Sequence, residues 1–321
     1  MPRLILGFCE VHRERALVDV QLLSGEMRAL CLLLLLPFSA AVLLREWPAI
    51  VSHDAATGEI DTSRDGVIKS VEDAYSVTQS TGLVNQIKCG ARALDYRPYL
   101  LKDGSIIAHH GSTKINKLMN ESVSEISAYL STLPGTSESL VIMYLSHFEG
   151  QIDGCQQDSI ALLKKMGIPV IESCSTLSTL TVDAAFRMGR LVALVNCVDE
   201  RYDSAVTCYG VGYQCYDSTK SETAWNRFEA YALNSTSSKT PPAGNVLFMT
   251  QLHWQSSTES VPLGLLHGSS VVEDESRSGM NAWVAQRVAL GKAYFNLLNL
   301  VELDNVCDGG LEVYDALKKF A

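Results

Sequence analysis

Residues 50–54 read IVSHD, residues 92–97 read RALDYR, and residues 105–111 read SIIAHHG. These three runs are short and mainly apolar, and each ends in polar side chains. Their apolar residues follow one another directly, which is typical of parallel strands that are buried on both faces. We therefore expect the three runs to be the first strands of a parallel sheet, with polar side chains gathered at the strand ends.

The rest of the chain repeats this alternation of short apolar runs and longer amphipathic segments. Further strands are predicted at residues 140–147, 191–198, 246–253 and 300–306, with a weaker one at 169–171. Helices are predicted at residues 122–133, 156–166 and 281–298. The first helix is expected to begin with a capping box, because Ser122 and Glu125 have the spacing at which two side chains satisfy free backbone N–H groups.

The order of these elements indicates the fold class. Strands that alternate with helices indicate an α/β fold. About eight strands in a chain of 321 residues predict a single (β/α)8 TIM barrel. An open doubly wound sheet is the alternative, although the glycines do not form the pattern of a dinucleotide-binding site.

The charge balance excludes some partners. The chain has 26 Lys and Arg against 36 Asp and Glu, a formal net charge of −10. Nucleic-acid binding requires clustered basic residues that neutralise phosphates, so no nucleic-acid partner is expected. The same lack of basic clusters argues against strong attraction to anionic lipid, and any contact with a membrane surface is expected to be local and transient.

One targeting signal is predicted near the N-terminus. Residues 30–44 read LCLLLLLPFSAAVLL, which is too short for a span of about 20 residues but fits the apolar part of a signal peptide that follows Arg28. We expect residues 1–26 to be an upstream tail or mis-start, 27–44 a signal peptide or signal anchor, and 45–321 the barrel domain. The protein would then be secreted or extracellular-facing.

The cysteines and the glycosylation sequons agree with secretion. Seven cysteines follow the apolar run, and none has the C-x-x-C spacing of a zinc site. The pairs Cys155/Cys174 and Cys208/Cys215 are candidate disulfides, although sequence leaves the connectivity open. Glycosylation sequons begin at Asn120 and Asn234.

Most of the conspicuous polar residues lie at the ends of predicted strands. On a TIM barrel the carboxyl ends of the strands carry the active site. Asp95 and Arg97 are two residues apart, so they face the same side of their strand. The polar residues at strand ends are His53, Asp54, Asp95, Arg97, His109, His110, His147 and Asp304.

Three of these segments resemble the X-domain of phosphatidylinositol-specific phospholipases C. The segments are SHDA at 52–55, QIKCGARALDYR at 86–97 and DGSIIAHHG at 103–111. The closing NLVELD at 299–304 is similar to the last strand of that family, and the resemblance spans about residues 47–306. Members that consist of the X-domain alone are the most similar type.

The resemblance implies roles for individual residues. His53 matches the general base and His110 the general acid, and Asp54 matches the acidic neighbour that hydrogen-bonds the second histidine. Asp304 matches the aspartate that orients the first histidine. The family reaction implied for this chain is cleavage of a phosphatidylinositol-like phosphodiester, in which the inositol hydroxyl attacks and a cyclic inositol phosphate and diacylglycerol are released.

The resemblance also argues against a cofactor. Asp95 matches the family's acidic residue, and Arg97 matches the position at which metal-independent members have an arginine that contacts the phosphate and calcium-dependent members an acidic ligand. No glutamate occupies the position at which calcium-dependent members have their fourth-strand ligand, and Ser146 is the residue nearest to it. No metal is therefore expected. His147 and Trp254 have no counterpart in the family, and we assign them to the wall of the substrate pocket.

Two other functions fit the same barrel. A metal-dependent glycerophosphodiester phosphodiesterase would use calcium or another cation, but its Glu-x-Asp motif is replaced here by Asp95-x-Arg97, and an arginine repels a metal ion. A secreted binding protein with an inactive site is the second alternative. Such a protein is expected to have lost His53, His110 or Arg97, and all three are present.

The position of the predicted signal gives a first testable expectation. We expect Met27 to begin the secretory form and the mature chain to begin near Val42, because the apolar run follows Arg28 and ends in small residues. N-terminal sequencing of secreted protein measures this directly. A mature protein that begins at residue 2 would contradict it.

Overall fold

The computed structural model describes residues 41–60, 75–201, 222–238, 240–241, 245–255, 261 and 268–320, and in these residues strands alternate with helices. The strands are β1 (Ala49–Ser52), β2 (Ala91–Tyr96), β3 (Pro98–Leu100), β4 (Ile106–His110), β5 (Thr113–Leu118), β6 (Val141–Leu145), β7 (Glu149–Gly150), β8 (Val170–Ile171), β9 (Leu191–Val195), β10 (Val198–Arg201), β11 (Leu247–Gln251) and β12 (Leu300–Leu303). The helices are α1 (Leu83–Lys88), α2 (Met119–Thr132), α3 (Cys155–Lys165), α4 (Val182–Met188), α5 (Glu222–Ser235), α6 (Val271–Ser278), α7 (Met280–Ala289) and α8 (Gly310–Leu317).

A sheet of eight parallel strands forms the centre of the fold, in the order β10-β11-β12-β1-β2-β6-β9-β8. In a flat sheet the six steps from β10 to β9 would separate these strands by about 29 Å. Along the chain only Asn196 and Cys197 lie between them, and such a link spans at most about 11 Å. The sheet therefore curls round on itself, which confirms the predicted barrel and excludes the open sheet.

Alternate residues of each strand face opposite sides of the barrel wall. In β6, Val141 and Met143 share a buried cluster with the helices and face outward, whereas Ile142 and Tyr144 belong to a second cluster inside the barrel. The inside cluster also contains Ala49, Val51, Ala93, Val192, Leu194, Leu247, Met249 and Leu300. Apolar side chains thus fill the half of the barrel nearest the amino ends of the strands.

Residues before β1 close this amino end. Leu44 is 1% exposed and joins the inside cluster, and its N–H donates to the Leu180 carbonyl over 2.8 Å. Leu43 pairs with Thr181. The predicted domain boundary at residue 45 lies directly after Leu44, whose apolar side chain packs inside the barrel. Residues 1–40, which hold most of the predicted signal, lie outside the described residues.

The predicted strand at residues 105–109 is not part of the barrel wall. Its counterpart β4 pairs antiparallel with β3 and β5, and β3 also pairs with β7, so that the four strands form a separate sheet. In the wall itself β2 pairs with β6. The prediction was wrong because an apolar run indicates a buried strand but not the sheet to which the strand belongs.

Two helices differ from their predicted bounds. α2 begins at Met119, so Ser122 lies within the helix, where it is 2% exposed, and forms no capping box. α7 ends at Ala289, well before the predicted end at residue 298, because Gly291 has a φ of 62° that glycine adopts most readily. Within the part of the chain that the structure describes, no helix is long and apolar enough to cross a membrane.

Disulfides join Cys89 to Cys307 and Cys174 to Cys197. The first bond links the end of α1 to the loop after β12, and the second holds the link between β9 and β10. The suggested pairing of Cys155 with Cys174 is wrong, because Cys155 is a buried free thiol. Cys208 and Cys215 lie outside the described residues.

The longer disulfide is expected to contribute most to stability. It closes a loop of 218 residues, and chain entropy alone makes such a crosslink worth up to about 5 kcal/mol. The double variant Cys89→Ser/Cys307→Ser should lose several kcal/mol of unfolding free energy in urea, more than Cys174→Ser/Cys197→Ser, whose loop has 23 residues. Peptide mapping without reduction tests the pairing itself, and a Cys155–Cys174 peptide would contradict the structure.

Candidate active site

Polar side chains replace apolar ones inside the barrel toward the carboxyl ends of the strands. In β12 the inward-facing Leu300 is followed at alternate positions by Glu302 and Asp304, and in β1 Val51 is followed by His53. The same alternation brings Asp95, Arg97, Ser146 and His253 to this end of the barrel. The site therefore arises because one face of each strand changes from apolar to polar at the same level.

His53 is held on both sides of its ring. Its Nδ1 lies 2.8 Å from Oδ1 of Asp304, and its Nε2 lies 3.1 Å from Oδ2 of Asp54. Its backbone carbonyl accepts hydrogen bonds from Thr78 Oγ1 at 2.8 Å and Gln79 Nε2 at 3.1 Å. With 9% of its surface exposed, His53 is fixed in position and still reachable from the mouth of the barrel.

His110 reaches the same point from the separate four-stranded sheet. Its Nδ1 donates to the Ser76 carbonyl over 2.8 Å, which leaves Nε2 directed at Oδ2 of Asp54, 3.2 Å away. Its ring centroid is 6.4 Å from that of His53. The two imidazoles are therefore close enough to act on opposite sides of one phosphate, although the barrel wall supplies only His53.

Arg97 lies between two buried carboxylates. Its Nε is 2.7 Å from Oδ1 of Asp54, and its Nη2 is 2.9 Å from Oδ2 of Asp95. Asp95 also accepts hydrogen bonds from the Asp54 N–H at 3.1 Å and from Ser146 Oγ at 3.1 Å. Burial alone would raise the pKa of Asp95, but Arg97 and His53 outweigh burial and lower it, so this carboxylate stays charged.

The carboxylates around His53 determine its protonation. Burial alone would lower the pKa of His53, but Asp54, Glu302 and Asp304 outweigh burial and raise that pKa to about 9. For Asp304, burial again opposes the charged form, but His253 and His53 hold the pKa of Asp304 well below its ordinary value. In the free protein at neutral pH, His53 therefore carries a proton that it must lose before it can act as a base.

His147 lies at the rim in a strained conformation. Its φ is 48°, which lies in the left-handed region that residues other than glycine seldom adopt. Its Nδ1 is 2.8 Å from Ser146 Oγ, and its carbonyl lies 2.8 Å from Nε2 of the buried His109. The Nδ1 of His109 faces the Gly111 carbonyl at 3.1 Å. His109 thus ties the turn after His110 to His147, which is exposed beside the predicted pocket.

The structure corrects the prediction for Trp254. This side chain is 4% exposed and packs against Trp225 and Phe228, with ring centroids 5.1 and 5.2 Å away. It lies in the outer cluster that the helices cover, not in a pocket wall. The reason is the alternation along the strand, because Trp254 follows the inward-facing His253 and so faces the opposite side of the wall.

Sequence reasoning missed His253 and Glu302. His253 stacks on His53 with ring centroids 4.3 Å apart, and its Nε2 lies 3.2 Å from Oε2 of Glu302. Both residues are buried, with 1% and 0% exposed. The signal that points to them is their inward-facing position near the ends of β11 and β12, which the predicted strands at 246–253 and 300–306 already contained.

Two groups of side chains have the donor types of a metal site. One is His53, His253 and Asp304, and the other is His53, Asp54 and Asp95, with donor atoms within 4.8 Å of one another. In the first group Nδ1 of His53 and Nδ1 of His253 face the two oxygens of the Asp304 carboxylate, at 2.8 and 3.4 Å. In the second group the guanidinium beside Asp54 and Asp95 would repel a cation.

Comparison with solved structures identifies the fold of this chain. The chain is similar to a mutant of the phosphatidylinositol-specific phospholipase C from Staphylococcus aureus, with 13% identity and a TM-score of 0.59 over 86% of this chain and 94% of that one. It is also similar to the enzyme of the same name from Listeria monocytogenes, with 14% identity and a TM-score of 0.57 over 87% and 94%. No family model and no curated protein sequence matches the chain. At this identity the likeness establishes the fold alone, a TIM barrel of the predicted type.

Neutralising Asp54 is expected to lower the pKa of His53, because Asp54 is the carboxylate that raises it most. The His53 ring should titrate near pH 9 in the wild-type protein, and about one unit or more lower in Asp54→Asn, as measured by NMR of the ring protons. Glu149→Gln, which removes an exposed carboxylate near His109, is the matched control and should leave the titration unchanged.

The same shift links stability to pH. Because the folded-state pKa of His53 is raised from 6.5 to about 9, its stabilising contribution is fully present below pH 6.5 and is lost as the pH rises through 9. This contribution is on the order of 3 kcal/mol and should be smaller in Asp54→Asn. A wild-type His53 that titrates at its ordinary value would contradict both expectations.

Proposed function

We propose that this protein cleaves the phosphodiester bond of phosphatidylinositol-like lipids by acid–base catalysis without a metal ion. The observation that carries the proposal is the placement of His53 and His110, with ring centroids 6.4 Å apart, on one carboxylate that also contacts Arg97. The likeness in fold to bacterial enzymes named for this reaction supports it.

The two histidines have complementary tasks. His53, once neutral, takes the proton from the attacking inositol hydroxyl, whose oxygen forms a bond to phosphorus. The bond from phosphorus to the diacylglycerol oxygen breaks, and His110 gives that oxygen a proton. Asp304 holds Nδ1 of His53, so that Nε2 is the atom that takes the proton. The products are a cyclic inositol phosphate and diacylglycerol, and the site is left with His53 protonated and His110 neutral.

Arg97 supplies the positive charge that a metal ion supplies in other phosphodiesterases. A guanidinium has five N–H donors, and in the described residues the carboxylate contacts of Arg97 are made by Nε and Nη2. Nη1 remains for a phosphate oxygen. The charge that develops on the phosphate in the transition state is stabilised by such a fixed donor.

We further propose that the protein works outside the cell on a lipid surface. The predicted signal segment, two disulfides and exposed sequon residues Asn120 and Asn234 support secretion and glycosylation. The net charge of −10 supports a local, transient membrane contact and no nucleic-acid partner. An inactive binding protein on the same barrel remains the alternative that an assay decides.

Cleavage of phosphatidylinositol should survive chelation and depend on three residues. His53→Ala and His110→Ala should each lower turnover by roughly 10²–10⁴, and Arg97→Ala by about 10²–10³, the effect of losing one preorganised donor. The assay scores cyclic inositol phosphate from phosphatidylinositol vesicles with and without EDTA. Arg187→Ala, an exposed arginine on α4 at the other end of the barrel, is the matched control and should retain full activity.

The outcomes separate the competing functions. Activity that EDTA abolishes and calcium restores would overturn the assignment of Arg97 and favour the metal-dependent phosphodiesterase. Binding of the vesicles without cleavage under any condition would instead favour the inactive binding protein.

A further inference from the structure

A third histidine lies directly behind the proposed base. His253 is 1% exposed, and its ring stacks on that of His53 with centroids 4.3 Å apart and planes 23° apart. It follows Gln251 at the end of β11 and faces the barrel interior. Because its side chain is buried, His253 is not placed to touch a substrate, and any effect on chemistry must pass through its neighbours.

His253 shares the carboxylate that orients His53. Oδ1 of Asp304 lies 2.8 Å from Nδ1 of His53, while Oδ2 of the same carboxylate lies 3.4 Å from Nδ1 of His253. The carboxylate is thus fixed between two imidazoles. Without His253, Asp304 would be free to rotate and could present its oxygens to His53 in a different geometry.

Both ring nitrogens of His253 face groups that accept hydrogen bonds. Nε2 lies 3.2 Å from Oε2 of Glu302, and Nδ1 lies 3.3 Å from the Trp254 carbonyl. A neutral imidazole has one N–H and satisfies only one of these contacts, whereas the imidazolium satisfies both. Burial opposes the charged form, but Asp304 and Glu302 outweigh it and raise the pKa of His253 well above its ordinary value.

We infer that His253 is a positioning residue for His53, which fixes Asp304 and places a permanent positive charge against the face of the base. The inference deepens the proposed function and rests on it in one respect, that His53 is the base. A cation stacked on His53 disfavours a second positive charge there. His253 therefore helps His53 to release the proton that the surrounding carboxylates retain.

The other charges near this pair lie on two sides. On the side of the barrel mouth are Asp54, Asp95, Arg97 and His110, and on the buried side are Glu275, Glu302 and Asp304. Burial, together with Asp304, raises the pKa of Glu275 well above its ordinary value, which favours the neutral form of Glu275. The buried side then holds two carboxylates, and His253 is the only cation among the described residues on that side.

A direct titration tests the inference without any substrate. In His253→Gln, the His53 ring is expected to titrate about one unit higher than in wild type, the effect of losing one nearby like charge. Glu302→Gln removes the negative charge that contacts His253, and it should shift the titration of His53 to lower pH. His109→Gln changes a buried histidine without a contact to His53 and is the control for the NMR measurement.

Kinetics on phosphatidylinositol vesicles supply a second readout. If His253→Gln raises the pKa of His53 by one unit, about tenfold less His53 is neutral at pH 7. The kcat of the variant should therefore fall about tenfold at pH 7 and approach the wild-type kcat above pH 10, and KM should stay unchanged. An equal loss at every pH, together with an unshifted His53 titration in both variants, would overturn the inference and leave His253 a packing residue. If His253→Gln does not fold, the titration of His253 in the wild-type protein decides, because a His253 that is neutral at pH 7 places no charge against His53. A wild-type protein that cleaves no lipid would refute the proposed function, while the titrations would still test the charge of His253.

Discussion

One buried carboxylate, that of Asp54, determines how the mouth of the barrel is built. It is 2% exposed and lies within 2.7–3.2 Å of side chains from Arg97, His53 and His110. An unpaired charge at such a place would cost several kcal/mol. The strands β1 and β2 of the barrel and the separate β4 hairpin must therefore place their cationic groups beside Asp54. The position of these three distant segments thus depends on the pairing of one buried charge.

Alternation along strands explains both what sequence reasoning predicted and where it failed. The spacing of Asp95 and Arg97 placed both on one face, and the structure puts both inside the barrel. For the neighbouring pair His253 and Trp254, the run at 246–253 indicates the strand but not which of its faces is interior, so the sequence does not distinguish the outward tryptophan from the inward histidine. The Cys89–Cys307 bond joins residues 218 positions apart and has no local sequence signal at all.

The two halves of the barrel interior have different roles, since the apolar half stabilises the fold and the polar half holds the candidate active site. Its lower half is filled by apolar layers that include Val51 and Leu300, and its upper half by ionised or hydrogen-bonded groups. Burial of the upper groups is unfavourable unless each is paired, so the apolar half and the disulfides must offset the cost. The protonation of His53 is a property of this whole set, since Asp54, Glu302 and Asp304 raise its pKa and His253 lowers it.

The bond between Cys89 and Cys307 also decides how the molecule would respond to force. A pull on the two termini is carried through this bond, so the chain between the two cysteines, which are 218 positions apart, is a loop that bears no tension. At about 3.4 Å per residue, roughly 700 Å of contour length would stay hidden until the bond is reduced. That loop contains every barrel strand except β1, so stretching would peel away the strand that bears His53 while the rest of the wall stayed unloaded.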